Sequence, residues 1–191
     1  MEFIEKTINK NRIYDGKILA VRCDEVLLPN GRTSKREIVE HNGGSCVLAA
    51  REGKLLFVKQ YRYAMGEVLY EIPAGKLEKG EDPKAAAVRE LEEECGLVAD
   101  DAELTYEIYP TPGYSEEHIY IYRCYGFKEG KVHLDENEFL TGEWIEEGEV
   151  RRMMADGRIR DGKTLVALLK YFLLHPVLIG QKRSCRPVLK P

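Results

Sequence analysis

The sequence predicts an α+β fold, a mixed sheet covered by helices on both sides and preceded by a small all-β unit. Three observations carry this. Up to residue 41 the chain holds β-forming runs broken by turn residues, with no helical periodicity. From Gly43 onward, strand-like runs flank one sharply bounded helical stretch, and two more helical stretches follow them. A length of 191 residues with 43% hydrophobic composition is enough for one good core with a small appendage.

The elements follow in order. Ile13 to Leu28 contains β-formers interrupted at Asp15-Gly16, and Pro29-Asn30-Gly31-Arg32 is a turn leading into a strand over Lys35 to Glu40. Three strands with one apolar face each cannot form a stable core alone, so this unit is expected to dock on something else. Ser45 to Ala50 and Lys54 to Arg62 read as a hairpin across Glu52-Gly53, and Glu67 to Ala74 reads as a third strand. Asp82 and Pro83 supply an N-cap and a first helical residue, and Gly96 supplies a left-handed stop, for a helix of about three turns. Leu104 to Tyr109 and His118 to Phe127 alternate as strands around a loop at Pro110 to Ser115, and Phe139 to Ile145 closes the sheet. Helices are expected over Glu147 to Ala155 and over Gly162 to Leu174, the second capped by Asp161. The expected organisation is an N-terminal β unit at 1–41, a main domain at 42–175 and a basic tail at 176–191 carrying Lys182, Arg183, Arg186 and Lys190.

Composition excludes several classes. A net charge of −4 argues against a general nucleic-acid binder. The five cysteines, Cys23, Cys46, Cys95, Cys124 and Cys185, form no C-x-x-C pair and read as reduced thiols of a cytoplasmic protein. The N-terminus has no apolar signal region, and no apolar run approaches about 18 residues, so no membrane association is expected. The four histidines, His41, His118, His133 and His175, show no ligand spacing and are read as structural.

The chemistry concentrates between Gly75 and Leu97. At roughly 100° per residue, Glu90, Glu93 and Glu94 project from one arc of the helix, while Val88, Leu91 and Cys95 give it an apolar seat beside that arc. A solvated acidic face would look the same, with Lys84 or Arg89 supplying some pairing. The alternative is a hard divalent cation, bound by a few carboxylates together with substrate phosphate oxygens. Arg89 lies to one side of the arc, where it would clamp a glutamate through a bidentate pair.

Gly75, five residues, Glu81, seven residues, and then Arg-Glu-Leu-x-Glu-Glu-x-Gly-Leu ending at Leu97 match the Nudix box at nine specified positions over 23 residues. The chain therefore resembles the Nudix hydrolases, which cleave a nucleoside diphosphate linked to another moiety with Mg²⁺ or Mn²⁺. The resemblance implies the Nudix α/β/α sandwich. It makes Glu90 and Glu94 metal ligands with Glu93 sharing or orienting a metal, adds the backbone carbonyl of Ala74, and leaves Glu81 structural or a distant contributor. Gln60-Tyr61-Arg62, the run from Glu71 into the box, the proline at position 112, fifteen residues past Leu97, the acidic Asp135-Glu136-Asn137-Glu138 and the later Asp161-Gly162-Lys163-Thr164 resemble the ADP-ribose pyrophosphatase branch.

In that branch the general base is a glutamate on a loop well after the box. Here that implies Glu136 or Glu138, with the other as an extra ligand; on residues alone the loop also reads as acidic and solvated. Arg62 is implied to hold a substrate phosphate, the alternative being a cap on a surface carboxylate. Glu71 would touch the terminal sugar or a cation, or else form a buried pair with a basic neighbour. The branch further implies that Arg36 and Glu37 reach the adenine in a homodimer, and that the loop with Pro112 and Ser115 turns beside the nucleotide. The favoured activity is Mg²⁺-dependent hydrolysis of ADP-ribose to AMP and ribose 5-phosphate. Another nucleoside diphosphate sugar or dinucleotide as substrate, or a sensor that binds ADP-ribose without cleaving it, are the alternatives.

Overall fold

The computed structural model describes residues 3–175, so the expected basic tail and Cys185 lie outside the described residues. The N-terminal sheet has four strands, β1 (Lys6–Asn9), β2 (Arg12–Asp15), β3 (Leu19–Leu27) and β4 (Thr33–His41). β3 is its spine: β4 runs antiparallel along one edge, and β1 and β2 share the other. The sequence suggested three strands; β1 is the addition, a four-residue segment exposed along its whole length and therefore without an alternating pattern. The turn after β3 forms where expected, with Gly31 at φ +80° and its N–H donating to Leu28 O at 2.9 Å.

The remaining chain builds two more four-stranded sheets. The first contains β5 (Gly44–Leu48), β9 (Ala74–Lys76), β10 (Leu97–Ile108) and β11 (Ile119–Glu129), and it is mixed because β5 and β11 run parallel. The second contains β6 (Ala50–Arg51), β7 (Lys54–Arg62), β8 (Glu67–Glu71) and β12 (Leu140–Glu146), all antiparallel. Two expected strands are thereby divided. The run Ser45 to Ala50 breaks at Ala49 and passes from one sheet to the other, so only β6 and β7 form the hairpin across Glu52-Gly53. The run Glu67 to Ala74 breaks at Pro73, which has no N–H to give a ladder; its carbonyl instead accepts from Val47 N at 3.0 Å. β10 begins directly after the helix, seven residues before the expected strand at Leu104; Asp100 and Asp101, poor strand formers, disguise it.

Helix α1 (Pro83–Cys95) lies on one face of the sheets, and α2 (Glu147–Ala155) and α3 (Gly162–Leu174) on the other, all three within the expected bounds. Strand alternation makes this sandwich. Cys46, Leu48, Leu55, Phe57 and Ile121 face α2 and α3 with Ile72, Met153 and Leu168, whereas Val47, Ala49, Leu56 and Tyr122 face α1 with Ala87 and Leu91. Because both faces are covered, the central strands read as unbroken apolar runs. Asp82 caps α1 by accepting from Ala85 N at 2.9 Å, and Gly96 ends it at φ 65°. The buried Ser45 hydroxyl donates to Pro83 O at 2.7 Å, tying the first turn of α1 to β5.

Candidate active site

Strand β9 and helix α1 bring the backbone of Ala74-Gly75 against two glutamates one helical turn apart. Ala74 N–H donates to Glu94 Oε2 at 3.0 Å. Gly75 lets the strand come close to α1: a Cβ built there would overlap the Glu90 carboxylate, which would have to move aside. Glu94 is 3% exposed and pairs with no basic side chain among the described residues. Burial, with the negative charges of Glu90 and Glu138, pushes its carboxyl up to about 8 against the relief given by Ala74 N–H and Arg62. Burial also raises Glu90, opposed by Arg89 and reinforced by Glu93 and Glu138.

Arg89 holds the remaining acids in place. Its Nε and Nη2 donate to the two oxygens of Glu81 at 3.0 and 3.3 Å, and Nη1 reaches Glu90 at 2.9 Å and Glu93 at 2.7 Å. Glu81 also accepts from Glu78 N at 2.9 Å, so it acts as the strut for Arg89. With Glu90 and Glu93 turned toward this guanidinium, no three His, Cys, Asp or Glu side chains close into a ready cage among the described residues. A few carboxylates with a backbone carbonyl and open positions are nonetheless what a hard divalent cation takes when substrate phosphates complete its shell. The buried, cation-less Glu94 and the cradle at Gly75 fit such an ion.

The loop after β11 returns over the C-terminal end of α1. Gly130 N donates to Gly96 O and His133 N to Glu93 O, both at 2.8 Å. This carries half-buried Glu138 near enough for its charge to bear on Glu90 and Glu94, while Glu136 stands exposed in the turn closed by Glu138 N and Asp135 O at 2.9 Å. The loop between β10 and β11 is held by the N-terminal unit. Val39 N donates to Tyr114 O at 2.7 Å and Glu116 N to Val39 O at 2.9 Å, a parallel bridge from β4 to Ser115. Arg22 locks the junction through Asp24, Glu40 and Glu116 at 2.8, 2.5 and 2.6 Å. Pro112 is exposed in this loop, and Ser115 Oγ is used locally, accepting from Glu117 N at 3.1 Å.

Two of the expected substrate residues have partners of their own within the chain. Glu71 does not open toward a sugar: it is 1% exposed and lies in the buried pair named above as its alternative. Arg62 binds it through Nε and Nη2 at 2.6 and 2.7 Å, and Lys163 approaches its other side. Arg36, partly exposed, donates through Nε and Nη2 to Glu5 at 2.9 and 2.5 Å within this chain, and Glu37 is exposed on the same strand. The Lys163 contact and the Arg22 junction leave no local signal in the sequence, because they join residues 92 to 94 positions apart.

Comparison with known proteins places the chain in a family. The NUDIX domain model matches residues 39–168, and the model described as "Nucleoside diphosphate sugar hydrolase N-terminal domain" matches residues 5–39. The chain belongs to the Nudix hydrolase family. Among Nudix relatives, it is 42% identical over 179 residues to the "Methanol dehydrogenase activator" of Bacillus methanolicus, covering 92% of this chain and 96% of that one. It is 40% identical over 181 residues to the "ADP-ribose pyrophosphatase" of Bacillus subtilis (strain 168), covering 93% and 97%. A solved structure described as "Crystal structure of ADP compounds hydrolase" shares the fold with a TM-score of 0.79 at 17% identity, over 90% of this chain and 96% of that one. The chain is thus a Nudix hydrolase, of an enzyme family that works with divalent metal.

Proposed function

We propose that the protein hydrolyses the pyrophosphate bond of ADP-ribose, giving AMP and ribose 5-phosphate, with Mg²⁺ as its divalent ion and Mn²⁺ as an alternative. The observation that carries this reading is the Glu90–Glu94 pair sunk against the Ala74-Gly75 backbone, with Glu94 buried and without a cationic partner among the described residues. Glu90, Glu94 and the Ala74 carbonyl would hold the ion, and Glu93 would orient it. When bound, such an ion neutralises phosphate charge and makes water a better nucleophile.

The chain's own residues do the rest. Arg89 keeps Glu90 and Glu93 from swinging away. Arg62, whose charge bears on Glu94, draws a phosphate oxygen toward the carboxylates. Glu138 accepts the proton of the attacking water, because it is the loop glutamate whose charge reaches the metal ligands, and Glu136 is the lesser candidate. The loop of Pro112 and Ser115, fixed to Val39, borders the nucleotide end. The name of the Bacillus subtilis relative supports ADP-ribose, and the description matched by residues 5–39 supports nucleoside diphosphate sugars more widely.

The division into an N-terminal β unit at 1–41, a hydrolase domain at 42–175 and a tail at 176–191 belongs to the same proposal. So does a homodimer: Ile8, Ile13 and Ile18 of the N-terminal unit are each more than half exposed, a surface that a second subunit would cover. The deciding experiment is phosphate release, coupled to a phosphatase, across ADP-ribose, ADP-glucose, GDP-mannose and dinucleotides with Mg²⁺, comparing wild type with Glu94→Gln. A strong preference for ADP-ribose that the variant abolishes is the expected result. Turnover of other sugars alone would remove the substrate assignment, and binding of ADP-ribose without turnover of any compound would leave a sensor.

A further inference from the structure

The Asp161-Gly162-Lys163-Thr164 motif has no part in the chemistry described so far, yet it meets the strand that feeds the site. Asp161 caps α3, accepting from Thr164 N at 2.9 Å and from the Thr164 hydroxyl at 2.6 Å. The same hydroxyl, wholly buried, accepts from Ile72 N at 3.0 Å. Lys163 turns inward, 11% exposed, to contact Glu71 Oε2 and Asp161 Oδ1, the latter at 3.0 Å. The motif therefore grips two adjacent residues, Glu71 and Ile72, just before Pro73 and the Ala74-Gly75 backbone.

The charges on this bracket lead further. Glu71 is shared between Lys163 on its buried side and Arg62 on its open side. Asp161 is already stabilised by the N–H groups at the start of α3, so one lysine remains to balance Glu71. Arg62 is held by Nε and Nη2, which leaves Nη1 without a protein partner among the described residues, and the side chain is 40% exposed beside Glu94. We propose that Lys163 is a positioning residue for phosphate recognition: by neutralising Glu71 it leaves the positive charge of Arg62 available to a diphosphate at the metal ligands, while the Glu71 fork fixes the direction of Arg62. Without Lys163, Arg62 would be the only cation on a buried carboxylate, and its charge would be spent there.

The inference rests on the proposed diphosphate chemistry of the site, so the test uses two readouts. Affinity for ADP in the presence of Mg²⁺, by calorimetry, needs no turnover; kcat and KM are measured on ADP-ribose, and each variant's melting temperature is recorded. Lys163→Met is expected to weaken ADP at least fivefold and to raise KM more than it lowers kcat. Lys163→Arg should bind within twofold of wild type. Glu71→Gln placed in the Lys163→Met background should recover part of the lost affinity, because the charge needing neutralisation is gone while one of the two bonds that aim Arg62 remains; a lysine that only packs α3 would show no such recovery. ADP affinity unchanged in Lys163→Met, or no recovery in the double variant, would overturn the proposal even if ADP-ribose is hydrolysed. A wild type that binds no ADP would overturn it as well. A wild type that hydrolyses nothing, with the ADP affinities following the expected order, would sustain the role of Lys163 and remove the proposed reaction.

Discussion

Glu94 is the residue on which the site's pH behaviour turns. Its folded-state carboxyl, pushed up to about 8 by burial, keeps a proton that the unfolded chain releases near its ordinary value of about 4.3. Between those values the metal-free folded state binds more protons than the unfolded state, so its stability falls as pH rises through that window. A divalent cation needs the ionised form. The rise in melting temperature given by Mg²⁺ should therefore be small at pH 5.5 and grow up to about pH 8; a shift independent of pH in differential scanning fluorimetry would contradict the ligand role of Glu94. Glu138 carries a second prediction. Glu138→Gln should lower kcat by about 10²-fold or more with KM little changed, as for a lost general base, while Glu136→Gln should remain close to wild type; the reverse pattern in steady-state kinetics would move the base to the turn.

At the scale of elements, the sheet of β1 to β4 holds the loop before β11 through the bridge from Val39 to Ser115, locked by Arg22. Arg22→Leu leaves Asp24, whose Oδ1 already lacks a partner, without its arginine as well. Breaking a buried pair costs about 3–5 kcal/mol, and the half-exposed Glu116 end places the expectation at the low end. The variant should melt several degrees lower and show a raised KM as the loop of Pro112 loosens; an unchanged KM would separate that loop from substrate binding. Elements whose signals are local were legible in the sequence. Asp82, Pro83 and Gly96 bound α1 correctly because caps act within one turn, and Asp161 does the same for α3. Elements decided by distant partners were not. Nothing near Ala49 says that the chain changes sheets there, and β10 hides behind Asp100 and Asp101, poor strand formers in a strand with few fully buried positions.

For the molecule as a whole, the same division applies to the site. The helix periodicity put Glu90, Glu93 and Glu94 on one side, and the box resemblance tied them to Gly75, all within 20 residues. The partners of Glu71 and Arg22 come from strands and helices that meet only in the finished sandwich, so residue types alone left Glu71 open between a ligand and a buried pair. Whole-molecule assembly gives a further prediction: sedimentation at micromolar concentration should show a dimer, and Ile13→Glu on the exposed face of the N-terminal unit should shift it toward monomer. A monomer in wild type would end the dimer proposal.

The contact between Gly75 and the Glu90 carboxylate also sets how this chain can vary. Every single-base missense change of a glycine codon introduces a Cβ, and a Cβ at position 75 takes the space that Glu90 occupies. The first step away from glycine already makes the Glu90 carboxylate, proposed above to hold the metal, move aside, whereas the neighbouring Lys76 already points an exposed side chain from the end of its strand.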